Sequence, residues 1–162
     1  MLRLIELTPH LPVLKKLVEG LTILLVEDDP SHQWLTREAL TRAGIDNPAV
    51  TFSDALDCWE FLCKQPEESL FPYLVLLDLK TPRMDGFELL TKINERFAAK
   101  CMSIAILTSS ANPDDIRHCV KLGYRLYFAK PLDTDLLLQT MGALGLQCIL
   151  EKTTAENDCG RS

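Results

Sequence analysis

Short apolar runs alternate with stretches of helical spacing along most of the chain. "LTILLVEDD" (Leu21 to Asp29) is an apolar run that ends in three acids. It predicts a central strand and the loop after it. Ser31 is placed to cap the next segment, where Trp34, Leu35, Glu38, Ala39 and Leu40 keep helical spacing up to Gly44. "PAVTF" predicts a second strand, followed by a helix through Ala55, Leu56, Trp59 and Phe61. "YLVLLD" is the third strand and "GFELLTKINERF" the third amphipathic helix. "SIAILTS" is the fourth strand, and "NPDDIRHCVKLG" a helix with Asn112 as N-cap and Pro113 in its first turn. "YRLYFAKP" holds the fifth strand and its exit, and "DTDLLLQTMGALG" the fifth helix. Strict alternation of this kind predicts an α/β fold with a doubly wound parallel sheet and helices on both faces. Runs such as "ILLV" and "YLVLL" suit strands covered on both sides.

At 162 residues the chain has room for one domain with a proper core. Its 47% hydrophobic and 25% charged residues are ordinary for a globular protein. The net charge is −6 and no Lys/Arg cluster offsets it, which argues against nucleic acid as a direct partner. The six cysteines, at 58, 63, 101, 119, 148 and 159, form no CxxC pair, and only three histidines could join them. Zinc and a disulfide framework are therefore poorly supported, and reduced thiols in a cytoplasmic protein are expected, with Cys159 exposed in the polar tail. No apolar run approaches the roughly 20 residues of a bilayer span, so no membrane partner is expected. Glu6, Pro9, Pro12 and the Lys15–Lys16 pair break up any signal-peptide core. Residues 1–20 read as an N-terminal extension, either an extra helix or an arm. Residues 146–162 read as a C-terminal extension that begins apolar ("LQCIL") and ends as a polar tail.

Chemistry collects at one end of the predicted sheet. In open α/β sheets, ligands bind beyond the carboxyl ends of the strands, near the switch in strand order. There the first strand carries Glu27, Asp28 and Asp29, and the third carries Asp78. The fourth ends in Thr108, Ser109 and Ser110, and the fifth in Lys130 and Pro131. One acid at one strand end is best explained as a helix cap or a solvated loop residue. Four strand ends with complementary chemistry are not. Clustered carboxylates repel unless compensated, and a hard divalent cation compensates them well.

The pieces "ILLVEDDP", "LLDLKTPRMDG", "ILTSS" and "FAKP", in this order, resemble the receiver domain of two-component response regulators. The resemblance spans Leu21 to about Leu144, and implies a receiver domain over residues 21–145 with a flavodoxin-like strand order 2-1-3-4-5. It implies that Asp78 accepts a phosphoryl group from the phosphohistidine of a sensor histidine kinase. A carboxylate is a credible nucleophile for phosphorus because it needs no deprotonation. By the same resemblance Mg2+ is held by Asp28 and Asp78, by Glu27 through water, and by the backbone carbonyl of Lys80. Lys130 would pair with Asp78 and then with a phosphoryl oxygen, with the bond before the proline, Lys130–Pro131, in the cis form. Thr108 matches the switch hydroxyl and Tyr127 the aromatic that moves with it, although Tyr127 also reads as a plain sheet-packing residue. Lys80 and Ser110 occupy the positions that tune phosphoryl lifetime. Pro82, Asp85 and Gly86 shape the loop after the acceptor, with Asp85 a turn or capping residue outside the metal shell. Thr81 departs from the aliphatic residue usual in the family.

Too little chain follows Leu144 for an output domain. The expectation is a stand-alone receiver, not an enzyme, that signals to an unidentified downstream protein or relays phosphate onward. Its length and helix sequence resemble receivers paired with phytochrome-type or hybrid sensor kinases, which often form homodimers through the C-terminal extension and the fourth-to-fifth element face. Covering its own core is an equal use for "LGLQCIL". Two other readings compete. A phosphorylation-independent adaptor would be expected to lack the acceptor, a metal acid or the lysine, all of which are present. An aspartate-based phosphatase would carry a second acid two residues after Asp78, where Lys80 stands.

Overall fold

A computed structural model of the chain describes residues 21–66, 73–97, 102–109, 112–137 and 139. In chain order these form β1 (Thr22–Val26), α1 (Pro30–Arg42), β2 (Ala49–Phe52), α2 (Ala55–Cys63), β3 (Tyr73–Asp78), α3 (Gly86–Arg96), β4 (Ser103–Thr108), α4 (Pro113–Lys121) and β5 (Tyr127–Ala129). They belong to one compact unit, Gly20–Asp133. Described residues 134–137 and 139 fall in a second unit and are helical, where a fifth helix is expected. The five strands pair in parallel in the order β2-β1-β3-β4-β5. Fold class and strand order agree with the sequence reading.

The register explains why the strands read as unbroken apolar runs. Leu24 pairs with Val75 and Val75 with Ile104, while Val26 pairs with Leu77 and Leu77 with Ile106. These six form the floor of the main core, roofed by Cys58 and Leu62 of α2 and Leu89, Leu90 and Ile93 of α3. The alternate residues Leu25, Leu76 and Ala105 line up on the opposite face and are equally buried. Burying each large aliphatic side chain is worth roughly 1.5–3 kcal/mol, which is why neither face of the sheet tolerates polar alternation.

Helix ends are set by side-chain caps. Asn112 caps α4 by accepting from the Asp114 amide, with Pro113 in the first turn as expected. Asp85 caps α3 through the Glu88 amide, the capping role read for it. The cap of α1 is a correction: it is Asp29, not Ser31, because the helix starts at Pro30 and the Asp29 carboxylate accepts from the Ser31 and His32 amides. Those two bonds hold the Asp29 carboxyl below its usual range. Gly44 ends the same helix at φ 73°, a left-handed value that suits glycine. β5 is shorter than its sequence suggests. Tyr124 lies before the strand, its amide donating to Cys119 O at 3.0 Å and its hydroxyl to Asn94 Oδ1 at 2.7 Å.

Among the described cysteines, Cys58, Cys63 and Cys119 are free thiols. Burial pushes Cys58 up to about 12, and burial with the Asp115 charge pushes Cys119 up to about 11. Both behave as packing residues. Cys101, Cys148 and Cys159, and the two terminal extensions, lie outside the described residues.

Gly86 is fixed by a close approach. Its amide donates to Leu79 O at 2.8 Å, and a Cβ at this position would stand 2.8 Å from Leu79 Cα. Backbone cannot yield as a side-chain tip can. Gly86→Ala is expected to destabilise the fold by about 1–3 kcal/mol, read from the midpoint of urea unfolding.

Candidate functional site

The carboxyl ends of β1 and β3 lie side by side, with β2 on the far side of β1, so the strand order reverses here. Glu27 continues β1 by one residue, its amide donating to Phe52 O at 2.9 Å. Its side chain is only 2% exposed. Oε1 accepts from the Asp29 amide at 3.2 Å, and Oε2 accepts from the Lys130 ammonium. Burial raises the Glu27 carboxyl above its ordinary range. The Lys130 bond and the Asp29 amide pull it back, and the Asp78 charge pushes it further up.

Asp78 ends β3 with both oxygens engaged. Oδ1 accepts from the Lys80 amide at 3.2 Å, and Oδ2 lies 3.3 Å from Lys130 Nζ. Lys130 arrives from the end of β5, its amide donating to Thr108 O at 2.7 Å, and the Lys130–Pro131 bond is cis as expected. With 11% of its side chain exposed, it forms ion pairs with both Glu27 and Asp78. One carboxylate oxygen from each of Glu27, Asp28 and Asp78 falls within 4.8 Å of the others. The three grade from buried through half-buried Asp78 to exposed Asp28. An all-oxygen donor set with one solvent-facing side fits a hard divalent cation whose shell is completed by water.

Thr108 is buried at the end of β4, and its side chain is hydrogen-bonded to the half-buried Tyr127 hydroxyl. Burial raises the Tyr127 phenol and the Thr108 bond lowers it, for a net rise. Lys80 is exposed two residues past the acceptor. Ser110 lies outside the described residues.

The family model described as "Response regulator receiver domain" matches residues 23–142. The chain belongs to this receiver family. A response regulator receiver is a signalling phosphoacceptor, works with a histidine kinase and binds a divalent metal. Response regulator Rcp1 of Synechocystis sp. is 36% identical over 110 residues, which cover 67% of this chain and 75% of that protein. A crystal structure of the Mn2+-bound form of Rcp1 superposes with a TM-score of 0.58 at 32% identity, covering 76% of this chain and 90% of the other. The phosphorylated cyanobacterial phytochrome response regulator RcpA superposes with a TM-score of 0.60 at 31% identity, covering 77% and 91%. Among the described residues, no helix of this receiver is long and apolar enough to cross a membrane.

Two residues at the receiver's site carry no signal in the sequence pattern. His32, in the first turn of α1, places Nδ1 3.3 Å from Lys130 Nζ and 3.6 Å from Glu27 Oε1. The three donors of the lysine ammonium thus meet Glu27, Asp78 and His32. Gln33 donates from Nε2 to Glu27 O at 2.7 Å, tying α1 to the end of β1. A polar helix start beside an acidic motif reads as solvated surface. Only the Asp29 cap, which fixes where the helix begins, turns these two inward.

The β3–α3 loop is held from outside as well. Asp54, the N-cap of α2 and 4% exposed, accepts from the Leu56 amide at 2.7 Å and from the Arg83 amide at 2.7 Å. Thr81 is buried, accepts from the Ala55 amide at 3.2 Å and donates to Met84 O. The Arg83 guanidinium reaches Asp57 at 2.6 Å.

Proposed function

We propose that this receiver takes a phosphoryl group onto Asp78 from the phosphohistidine of a sensor kinase and uses the change to alter a binding surface. The observation that carries this reading is the shared contact of Lys130 with Asp78 and Glu27 beside three converging carboxylates. An Asp78 oxygen forms the new O–P bond as the P–N bond to the kinase imidazole breaks, and the imidazole nitrogen keeps the electron pair. The cation that suits this donor set is Mg2+, which Asp28, Asp78 and the Lys80 carbonyl would hold, with Glu27 acting through water, and which would spread charge on the phosphoryl oxygens. Lys130, already 3.3 Å from Asp78, supplies a fixed positive charge to the same oxygens.

Thr108 is the switch. In this reading its hydroxyl turns from Tyr127 to a phosphoryl oxygen and frees the phenol to repack, a two-state element biased by a new charge. Lys80 and Ser110 set how long the acyl phosphate survives. The receiver proper covers residues 21–145, flanked by extensions at 1–20 and 146–162. The likeness to RcpA, a phytochrome response regulator, supports a phytochrome-type kinase as the donor. A downstream protein or a second copy of the chain reads the switched surface. Free Cys58, Cys63 and Cys119 fit a reducing, cytoplasmic setting.

The test is mass spectrometry of the protein incubated with acetyl phosphate. One added phosphoryl group is expected with Mg2+ present and none when the cation is chelated. The adduct should survive acid and be lost in alkali, as an acyl phosphate is. An acid-labile adduct would assign the phosphate to a histidine and defeat the reading.

A further inference from the structure

We propose that Asp54 and Thr81 are positioning residues that lock the loop after Asp78 and so hold the Lys80 carbonyl ready for the cation. The inference rests on the phosphoacceptor reading above.

The two sides of this contact satisfy each other. A helix start leaves its first amides without intrahelical partners. In α2 the Leu56 amide is taken by Asp54 and the Ala55 amide by Thr81, which belongs to the acceptor loop. In return, the loop amide of Arg83 is taken by Asp54, which belongs to α2. The contact spans 26 residues at Thr81 and 29 at Arg83. The loop therefore cannot shift without stripping α2 of half its cap and leaving the buried Ala55 amide without this partner, at a cost of about 1–3 kcal/mol.

Lys80 lies between two fixed points. Its own amide is bonded to Asp78 Oδ1, and the next residue is Thr81, whose hydroxyl is bonded on both sides. The peptide carrying the Lys80 carbonyl is thereby ordered before any ligand arrives. A loop without these bonds would have to be ordered by the cation itself, and affinity would fall by that cost. An aliphatic residue at 81 could fill the same space but would leave both the Ala55 amide and the Met84 carbonyl short of this partner. The hydroxyl is what couples the loop to α2.

The experiment titrates Mn2+ alone into the protein, following the electron paramagnetic resonance signal of the free ion. Thr81→Val keeps the shape and removes the hydroxyl, and is expected to weaken Mn2+ binding about five-fold, the scale of one lost hydrogen bond. Thr81→Ser should restore most of the affinity. Asp54→Asn keeps an oxygen for the Leu56 amide but presents an amide nitrogen to Arg83, and should weaken binding like Thr81→Val. It also serves if the valine variant fails to fold. Phosphorylation by acetyl phosphate should then need more Mg2+ for half-maximal rate, with the rate at saturating Mg2+ unchanged. Variants that lose thermal stability but bind Mn2+ as tightly as wild type would reduce the latch to packing and overturn the proposal, leaving the phosphoacceptor reading standing. Wild-type protein that binds no divalent cation would overturn both.

Discussion

Asp78→Asn is expected to reduce phosphoryl incorporation from acetyl phosphate or a kinase to background, while the protein stays folded. The loss is chemical. An amide oxygen is too poor a nucleophile to replace a carboxylate, and no second acid stands two residues on, where Lys80 sits. The fold has little reason to fail, because an asparagine Oδ1 can still accept from the Lys80 amide that Asp78 now holds at 3.2 Å. At 14% exposure the side chain is near enough to water to tolerate the change. Intact-mass measurement reads the incorporation and urea unfolding reads the fold. A phosphoryl group still present on the variant would move the acceptor elsewhere.

Lys130→Met is expected to affect both chemistry and stability. Removing a fixed positive group from a site of developing negative charge costs about 10²-fold or more in phosphotransfer rate. The larger structural effect falls on Glu27, which is 2% exposed and loses its ammonium partner. Breaking a buried pair from one side costs about 3–5 kcal/mol when the remaining charge has no other partner. Glu27 keeps the Asp29 amide, which places the expected loss at the lower end.

The pH dependence follows from the direction of the shift. The folded state already holds the Glu27 proton more tightly than the unfolded chain does, chiefly because the group is buried. Without Lys130 that preference grows. The stability conferred by protonation is fully present below the unfolded carboxylate value and disappears as pH rises through the elevated folded value. The methionine variant should therefore lie closest to wild type near pH 4.5, the ordinary value for this group, and fall furthest behind at neutral pH. Urea titrations across that window decide it. A deficit that does not change with pH would mean that Glu27 is not the group exposed by the substitution.

Much of the fold was legible because its strands are covered on both faces. Ile23 to Val26 and Leu74 to Leu77 are each at most 1% exposed, so every position had to be apolar and the run could not be mistaken for an amphipathic edge. The three acids of the cluster were legible for a topological reason. They sit at strand ends that a parallel sheet must bring together, and no long-range contact had to be guessed.

What escaped was whatever depended on a single side chain meeting a distant partner. The Asp54 and Thr81 bonds join residues whose spacing carries no period. His32 and Gln33 enter the site only because helix α1 begins two residues earlier than Ser31 as a cap would have it. Tyr124 was read as part of the fifth strand but lies before it, its hydroxyl on Asn94, a bond across 30 residues that a run of apolar letters does not reveal.

The bond from Gly86 N to Leu79 O closes the neck of the segment between them. A ring tied at its neck has a fixed circumference, so a residue added or removed there would untie it. Diversification of this segment must proceed by exchange of letters at constant length. Positions 80, 82, 83 and 85 face water, while 79, 81, 84 and 86 face inward. The outward side of the ring is where side chains can be exchanged without disturbing the buried face, Asp85 apart, because it caps α3.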